Sequence, residues 1–143
     1  MQPKFIRFAI LVFCLLSLAN TDSCGGNCPS GKCTLCDCGT TKSLPDLNNA
    51  CSGRVWNQAC CKCVILRLTQ GNEKYMEPNA NGAIVGKGIF NLSQGDLSLY
   101  CGGMSWNSMC QSAYAVSCAF QVYEKTGWNR WKAQAEQCGC PIQ

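Results

Sequence analysis

Residues 56–72 of the chain read WNQACCKCVILRLTQGN, and residues 79–93 read NANGAIVGKGIFNLS. The first segment predicts a helix that starts after Asn57, because its side-chain oxygen can accept a hydrogen bond from the first turn. It predicts an end at Gly71, because the left-handed residue that closes a helix is least strained as glycine. Apolar residues recur in it at i, i+3, i+4 and i+8, namely Cys60, Cys63, Val64 and Leu68. This stripe must face a core.

The second segment predicts a small β-hairpin. Residues 83–85 and 88–92 are apolar and fit short strands on either side of a glycine-containing turn. A helix whose C-terminal end is followed by a small sheet forms the wall of a cleft. We therefore expect Leu68 to face that cleft or to lie just beneath it. Residues 91–93 also form an N-glycosylation sequon, which falls inside the second predicted strand.

The N-terminus has the pattern of a secretory signal peptide. Lys4 and Arg7 precede an apolar run that ends in small residues at Ala19, so we expect residues 1–19 to be removed. The run is too short to span a bilayer, and no later stretch is long enough. We expect a secreted protein, or one in the lumen of the secretory or endolysosomal pathway, with no membrane association after signal removal.

The cysteine count agrees with this compartment. There are 15 cysteines, and removing Cys14 with the signal leaves an even number. In an oxidising compartment we expect disulfides and no free thiol. The candidates are Cys24, Cys28, Cys33, Cys36, Cys38, Cys51, Cys60, Cys61, Cys63, Cys101, Cys110, Cys118, Cys138 and Cys140. The rival interpretation is a soft-metal thiolate cluster at Cys33, Cys36 and Cys38; we favour disulfides and expect no metal and no other cofactor.

The chain contains no histidine. This excludes a mixed Cys/His zinc site, a Ser-His-Asp triad and any histidine general base. Without Lys4 and Arg7, the mature chain has 10 Lys+Arg against 8 Asp+Glu, a net charge of about +2. So small a charge indicates ordinary solubility rather than a nucleic-acid partner. We expect a monomer.

The remaining residues predict one domain behind a short arm. Residues 20–42 are rich in Gly and Cys with few large apolar residues, so bridges must hold them. In the domain, residues 43–143, Ser43 is predicted to cap a short helix that runs to about Cys51. Residues 94–105 are predicted as a loop. The fold class is α+β, mainly α, disulfide-rich, with one small antiparallel hairpin.

Two further helices complete the prediction. The longest is expected from about Asn107 to Lys125, apolar nearly all round and stopped by Gly127. A last short helix is indicated by Trp128, Trp131 and Ala135 at i, i+3 and i+7. The rings of Tyr100 and Trp106 can stack on a sugar, but core packing is the stronger interpretation for both.

Four sequence pieces in a fixed order resemble one family. The first piece is a helix cysteine followed six residues later by a hydroxyl residue, and the second is N-x-N-G. The third is the segment G-I-F-N-L-S. The fourth is C-A-x-x-V, followed by a glycine, by W-x-x-W and by a last cysteine. Here these are Cys63, Thr69, Asn79, Asn81, Gly82, residues 88–93, Cys118, Ala119, Val122, Gly127, Trp128, Trp131 and Cys138. Over residues 51–140 the chain is similar to the lysozyme-like glycoside hydrolases, the lysozyme and lytic transglycosylase superfamily, and most of all to cysteine-rich protist members.

The resemblance implies a fold and a pairing. It implies lysozyme-like helices over 58–69 and 108–125, packed together beside the hairpin. It also implies a bridge between Cys63 and Cys138, because in related folds the helix cysteine pairs with one just after the W-x-x-W helix. The implied cleft is formed by Leu68, Asn81, Phe90, Asn91 and Trp106.

The chain departs from the family at the residues that carry the chemistry. The family glutamate, a general acid, corresponds to Leu68, and the second carboxylate of the chicken-type branch corresponds to Gly86. The cleft floor has changed to Phe90 and Asn91. No catalytic residue is therefore assigned. Glu73 is the fallback acid, although it follows the predicted helix end; otherwise we expect it in a solvated loop.

Three functions follow from these residues. The first is a lysozyme-like protein that has lost its acid and binds a saccharide of the peptidoglycan or chitooligosaccharide type, or a partner, without hydrolysis. The second is an active lysozyme, a muramidase that hydrolyses peptidoglycan with a displaced carboxylate. The third is a disulfide-stapled secreted structural protein. A binding titration run beside a lysis assay discriminates among them.

Overall fold

The structure, a computed structural model, describes residues 38, 39 and 42–143. The predicted fold class is confirmed, because helices dominate and one antiparallel two-stranded sheet accompanies them. The predicted signal peptide at residues 1–19 and four disulfide candidates, Cys24, Cys28, Cys33 and Cys36, lie outside the described residues.

The helices and strands follow one another along the chain in a simple order. They are α1 (Leu47–Cys51), α2 (Gln58–Thr69), β1 (Met76–Pro78), β2 (Ile84–Lys87), α3 (Gln94–Tyr100), a 3-10 helix (Trp106–Cys110), α4 (Ser112–Thr126), a second 3-10 helix (Gly127–Trp131) and α5 (Lys132–Gln137).

Helix α2 has the predicted bounds and the predicted N-cap. The Asn57 side chain accepts from the backbone N–H of Cys60 at 3.0 Å. At the other end the left-handed conformation begins one residue earlier than predicted. Gln70 has φ 55° and Gly71 follows with φ 79°. The helix therefore closes with two consecutive left-handed residues rather than at the glycine alone.

The prediction of Ser43 as the cap of α1 is wrong. Asp46 caps this helix by accepting from the N–H of Asn48 at 2.9 Å. Ser43 instead directs its hydroxyl to Glu73, which lies in the turn after α2. Both residues are good caps, so the sequence alone did not separate them.

The predicted hairpin exists but pairs different strands. Met76 pairs with Lys87 and Pro78 with Ile84, so the first strand is β1, not residues 83–85. Residues 88–91 form a turn instead of a strand, and Leu92 returns to pair with Lys87. Gly88 has φ 75°, and a Cβ on it would lie 2.8 Å from the carbonyl carbon of Met109. Residue 88 therefore has to be glycine, both for its positive φ and for its close approach to Met109.

Residues 94–105, predicted as a loop, contain helix α3. Its N-terminus is a capping box: Ser93 accepts from the N–H of Asp96, and the Asp96 carboxylate accepts from the N–H of Ser93. This motif satisfies two of the backbone groups that a helix start leaves unpaired.

The long C-terminal helix begins later than predicted. Residues 106–110 are a 3-10 helix, and α4 starts at Ser112 and runs to Thr126. Gly127 ends it, as predicted, with φ 56°. Trp128 and Trp131 lie on the second 3-10 helix, ahead of α5.

The core is built around aromatic rings. Trp56 stacks on Trp128 with centroids 5.9 Å apart, and Phe90 contacts Trp131 at 5.4 Å. The indole N–H of Trp131 donates to the Phe90 carbonyl at 2.9 Å. Such ring pairs add about 0.5–1.5 kcal/mol each beyond the area they bury. The turn after β2 is therefore anchored directly in the core.

Each cysteine that the structure describes lies in a disulfide. The five bridges are Cys38–Cys110, Cys51–Cys61, Cys60–Cys140, Cys63–Cys138 and Cys101–Cys118. The pairing of Cys63 with Cys138, implied by the family resemblance, is confirmed. It joins α2 to the C-terminal end of the chain across 75 residues.

Candidate functional site

The position that the resemblance assigns to the catalytic acid lies in the last turn of α2. Leu68 is half-buried there and packs against the hydrophobic core. The next residue, Thr69, is buried, and its hydroxyl lies within hydrogen-bond distance of the carbonyls of Ile65 (3.2 Å) and Ile89 (2.9 Å). This contact holds the end of α2 against the turn after β2. A leucine at residue 68 has no proton to donate, so it cannot act as a general acid.

The position that corresponds to the second carboxylate is sterically filled. Gly86 is buried in β2, and a Cβ on it would clash with Oδ1 of Asn91 and lie 2.7 Å from its Cγ. Asn91 has φ 49°, and its buried Oδ1 accepts no hydrogen bond from any residue in 38–39 or 42–143. The Asn91 carbonyl accepts a long bond from Arg130 at 3.5 Å. An aspartate at residue 86 would require Asn91 to move.

Glu73, the fallback acid, is fixed by three neighbours. Its carboxylate accepts from the Ser43 hydroxyl at 2.6 Å and from the N–H of Ser112 at 3.0 Å. The ammonium of Lys74 lies 3.8 Å away and donates to the Cys110 carbonyl at 2.9 Å. The expectation of a solvated loop is wrong, because the Glu73 side chain is only 17% exposed. The carboxylate caps the first residue of α4, where a negative charge favours the helix.

Glu77 is also engaged by a neighbour. Its carboxylate accepts from the hydroxyl of Tyr75. This hydrogen bond, then burial and the Glu77 charge, raise the pKa of Tyr75 to about 12. The pair lies at the start of the hairpin, since Glu77 is the middle residue of β1.

Asp96 forms the shortest ion pair among the described residues. Its two oxygens accept from Nε and Nη2 of Arg130 at 2.7 and 2.6 Å. Burial by itself raises the pKa of Asp96, but the hydrogen bonds from Arg130 and Ser93 and the Arg130 charge outweigh it. The pKa of Asp96 is therefore below its usual value. An acid that stays ionised in this way suits structure rather than proton donation.

The other implied cleft residues lie in different settings. Phe90 is fully buried in the aromatic core, so it cannot form an open cleft floor. Asn81 is exposed in the hairpin loop, where its N–H donates to the Asn79 side chain at 2.9 Å. The indole of Trp106 is half-buried and donates to the Leu92 carbonyl at 3.1 Å.

A cation covers one face of the Trp106 ring. The Lys87 ammonium lies 4.3 Å from the ring centroid and donates to the Asn107 side chain at 2.8 Å. The structure thus brings Asn91 to Gly86 and Lys87 to Trp106, all in or next to the hairpin. The Lys87 contact was not visible in the sequence, because residues 87 and 106 are distant along the chain.

The structure contains a concave surface that no sequence pattern indicated. A groove of about 430 Å³, here called the α1–α4 groove, runs between the α1 region and the first turns of α4. It is lined by Pro45, Asp46, Asn49, Ala50, Ser52, Arg54, Ser112, Ala113 and Val116. Asp46, Asn49 and Ser52 recur every third residue, but that spacing is equally typical of a solvated helix face.

The rival metal interpretation does not hold for Cys38. This residue is bridged to Cys110, while Cys33 and Cys36 lie outside the described residues. In residues 38–39 and 42–143 no group of three or more Cys, Asp or Glu is placed to hold a metal ion. The same residues include no helix that is long and apolar enough to cross a membrane.

Comparison of the chain with protein-family models, with curated proteins and with solved structures finds no match in any of the three.

Proposed function

We propose that the chain is a secreted, lysozyme-like protein that binds a peptidoglycan- or chitin-type oligosaccharide without hydrolysing it. The observation that carries the proposal is Leu68, an apolar residue half-buried on the core at the position where the resemblance implies a protonated glutamate. A glycosidic bond needs a proton donor at the leaving oxygen, and such an acid contributes about 10²–10⁴-fold to the rate.

Two further contacts favour binding over hydrolysis. Asn91 fills the space beside Gly86, the position of the second implied carboxylate. Glu73, the nearest alternative acid, would have to release Ser43 and the N-terminus of α4 before it could reach a substrate. The lysozyme-like part of the proposal draws its support from the Cys63–Cys138 bridge and from the order helix, hairpin, helix.

The experiment is a titration beside an activity assay. The mature protein is titrated with chitotriose and with a soluble peptidoglycan fragment by calorimetry, and reducing-end release is followed on the same samples. We expect saturable heat with no release of reducing ends. An exposed residue of the implied cleft is tested as Asn81→Ala, and the matched control is Leu99→Ser on the exposed face of α3.

Loss of binding in Asn81→Ala and not in Leu99→Ser supports binding along the hairpin. Absence of heat with every saccharide contradicts the proposal and favours a structural or protein-partner role. Release of reducing ends that disappears in Glu73→Gln contradicts it in favour of an active muramidase.

A further inference from the structure

The α1–α4 groove presents a cation, Arg54, that pairs with no acidic residue in the described part of the chain. The guanidinium carbon of Arg54 lies 4.8 Å from the centroid of the Phe120 ring. Within residues 38–39 and 42–143 the ion pairs are formed by Lys74, Arg130 and Lys132, not by Arg54. Arg54 is exposed, and its N–H edge makes no hydrogen bond with any residue that the structure describes. That edge has the geometry for two parallel hydrogen bonds to a carboxylate.

The same groove is lined by polar groups that make no hydrogen bond within residues 38–39 and 42–143. The backbone carbonyl of Asn49 accepts from Ser52. The side-chain amide of Asn49 has no hydrogen bond in the described part of the chain. The backbone N–H of Ser112 is bonded to Glu73, whereas the Ser112 hydroxyl has no partner among the described residues. These two side chains offer donors and acceptors of the kind that bind hydroxyl or amide groups.

The rest of the groove is apolar and of suitable size. Pro45, Ala50, Ala113 and Val116 contribute small apolar surfaces between the polar groups. A volume of about 430 Å³ is within the range of small-ligand sites, which combine apolar walls with a few placed polar groups. Asp46 also lines the groove and adds one negative charge to the positive charge of Arg54. A ligand with several negative charges is therefore disfavoured relative to a ligand with one.

We propose that the α1–α4 groove binds a sugar unit that carries a single carboxylate. The carboxylate pairs with the N–H edge of Arg54, and hydroxyl or acetamido groups bond to Asn49 and Ser112. The proposal rests on the proposed function in taking a saccharide as the ligand, and it adds a second site whose lining includes no hairpin residue. A neutral chitin-type sugar would leave Arg54 unpaired and bind more weakly.

The test uses two sugars that differ in one group. N-acetylmuramic acid has the structure of N-acetylglucosamine with an added lactyl ether that carries the carboxylate. The mature protein, labelled with ¹⁵N, is titrated with each sugar at pH 7 and followed by NMR. We expect the acidic sugar to bind about tenfold tighter or more, which corresponds to about 1.4 kcal/mol. Its shift changes should centre on residues 49–54 and 112–116.

Three variants locate the site. Arg54→Gln should remove the preference for the acidic sugar, and Arg54→Lys should restore only part of it, because an ammonium lacks the planar fork. Asn49→Ala should weaken both sugars without unfolding the protein, since its exposed side chain makes no hydrogen bond in the described structure. The matched control is Arg67→Gln, an exposed arginine on α2 outside the groove, and it should change neither affinity.

The outcomes are distinct. Unchanged affinity for the acidic sugar in Arg54→Gln and Asn49→Ala overturns the groove but leaves saccharide binding intact. Equal affinity for free lactate overturns the sugar part, because the carboxylate alone then accounts for binding. If neither these sugars nor longer chitin or peptidoglycan fragments bind, both this inference and the proposed function are wrong.

Discussion

Oδ1 of Asn91 fills the space in which a side chain at Gly86 would begin. The asparagine is held there by its left-handed backbone and by the anchoring of its neighbour Phe90 in the core. The hairpin therefore not only lacks the second carboxylate that the family resemblance implies but has no room for it. Building the pair of carboxylates that the resemblance implies would take repacking of this turn as well as new acidic residues.

This packing predicts the effect of adding a side chain at residue 86. Gly86→Ala should destabilise the fold by about 1–3 kcal/mol, as expected for overpacking of a buried site. Asn91→Gly removes the clashing atoms and suits the positive φ, so the double variant should recover part of the loss. Urea unfolding of the four proteins gives the coupling free energy. Strict additivity of the two changes would show that Asn91 and residue 86 do not interact.

The Leu68→Glu variant tests whether the acid alone is missing. Partial burial on the core should raise the pKa of the new carboxyl, as a general acid requires. We nevertheless expect no more than trace release of reducing ends, because Asn91 still fills the Gly86 position. The control is Leu68→Gln, which has a similar shape but cannot donate a proton from an acid group. Strong activity with an acidic optimum in Leu68→Glu would mean that the remaining cleft is intact.

The Asp96–Arg130 pair predicts a pH dependence of stability. The folded pKa of Asp96 is below the unfolded value of about 3.9, so its contribution is full above that value and is lost as pH falls through the folded pKa. Asp96→Asn should lower the free energy of unfolding at pH 7 and flatten its decline below about pH 4. Urea unfolding between pH 2 and pH 7 measures this. An equally steep acid decline in the variant would assign the titration to other groups.

Two bridges of different span predict different losses of stability. In the chain-entropy model, removing Cys51–Cys61, with a separation of 10, costs about 2.7 kcal/mol. An isolated bridge with the separation of 75 of Cys63–Cys138 would be worth about 4.5 kcal/mol, but Cys60–Cys140 still joins the same two segments, so Cys63–Cys138 closes a loop of only a few residues and its removal costs about 2 kcal/mol. Paired alanine variants are compared by urea unfolding. We expect Cys51–Cys61 to matter more, because no other described bridge joins its two segments. A larger loss on removing Cys63–Cys138 would show that this bridge does more than restrict the unfolded chain.

Some helix boundaries that depend on local sequence signals were predicted correctly. Asn57 and the spacing of apolar residues set the bounds of α2, and Gly127 set the end of α4. Strand β1 was missed because Pro78 is unfavourable in a strand. Helix α3 was missed although its Ser93-to-Asp96 capping box is visible in the sequence. Its short segment contains Gly95 and several polar residues, so the apolar periodicity that indicates a helix is weak.

The candidate site was only partly predictable for a related reason. Leu68 and Gly86 were identified because each stands at a fixed position in a sequence pattern. The filling of the Gly86 position by Asn91 depends on how the turn folds back on β2. The role of Glu73 depends on the placement of Ser43 and Ser112, 30 residues before it and 39 after it. Such contacts arise from tertiary packing and leave no local pattern.

We propose that the protein binds a cell-wall or chitin-type saccharide without cleaving it. The most direct test of this proposal is a titration of the mature protein with a soluble peptidoglycan fragment, with mass analysis of the recovered ligand. We expect saturable binding and a ligand recovered intact, in the wild type and in Glu73→Gln alike. Recovery of cleaved ligand from the wild type, and of intact ligand from Glu73→Gln, would contradict it.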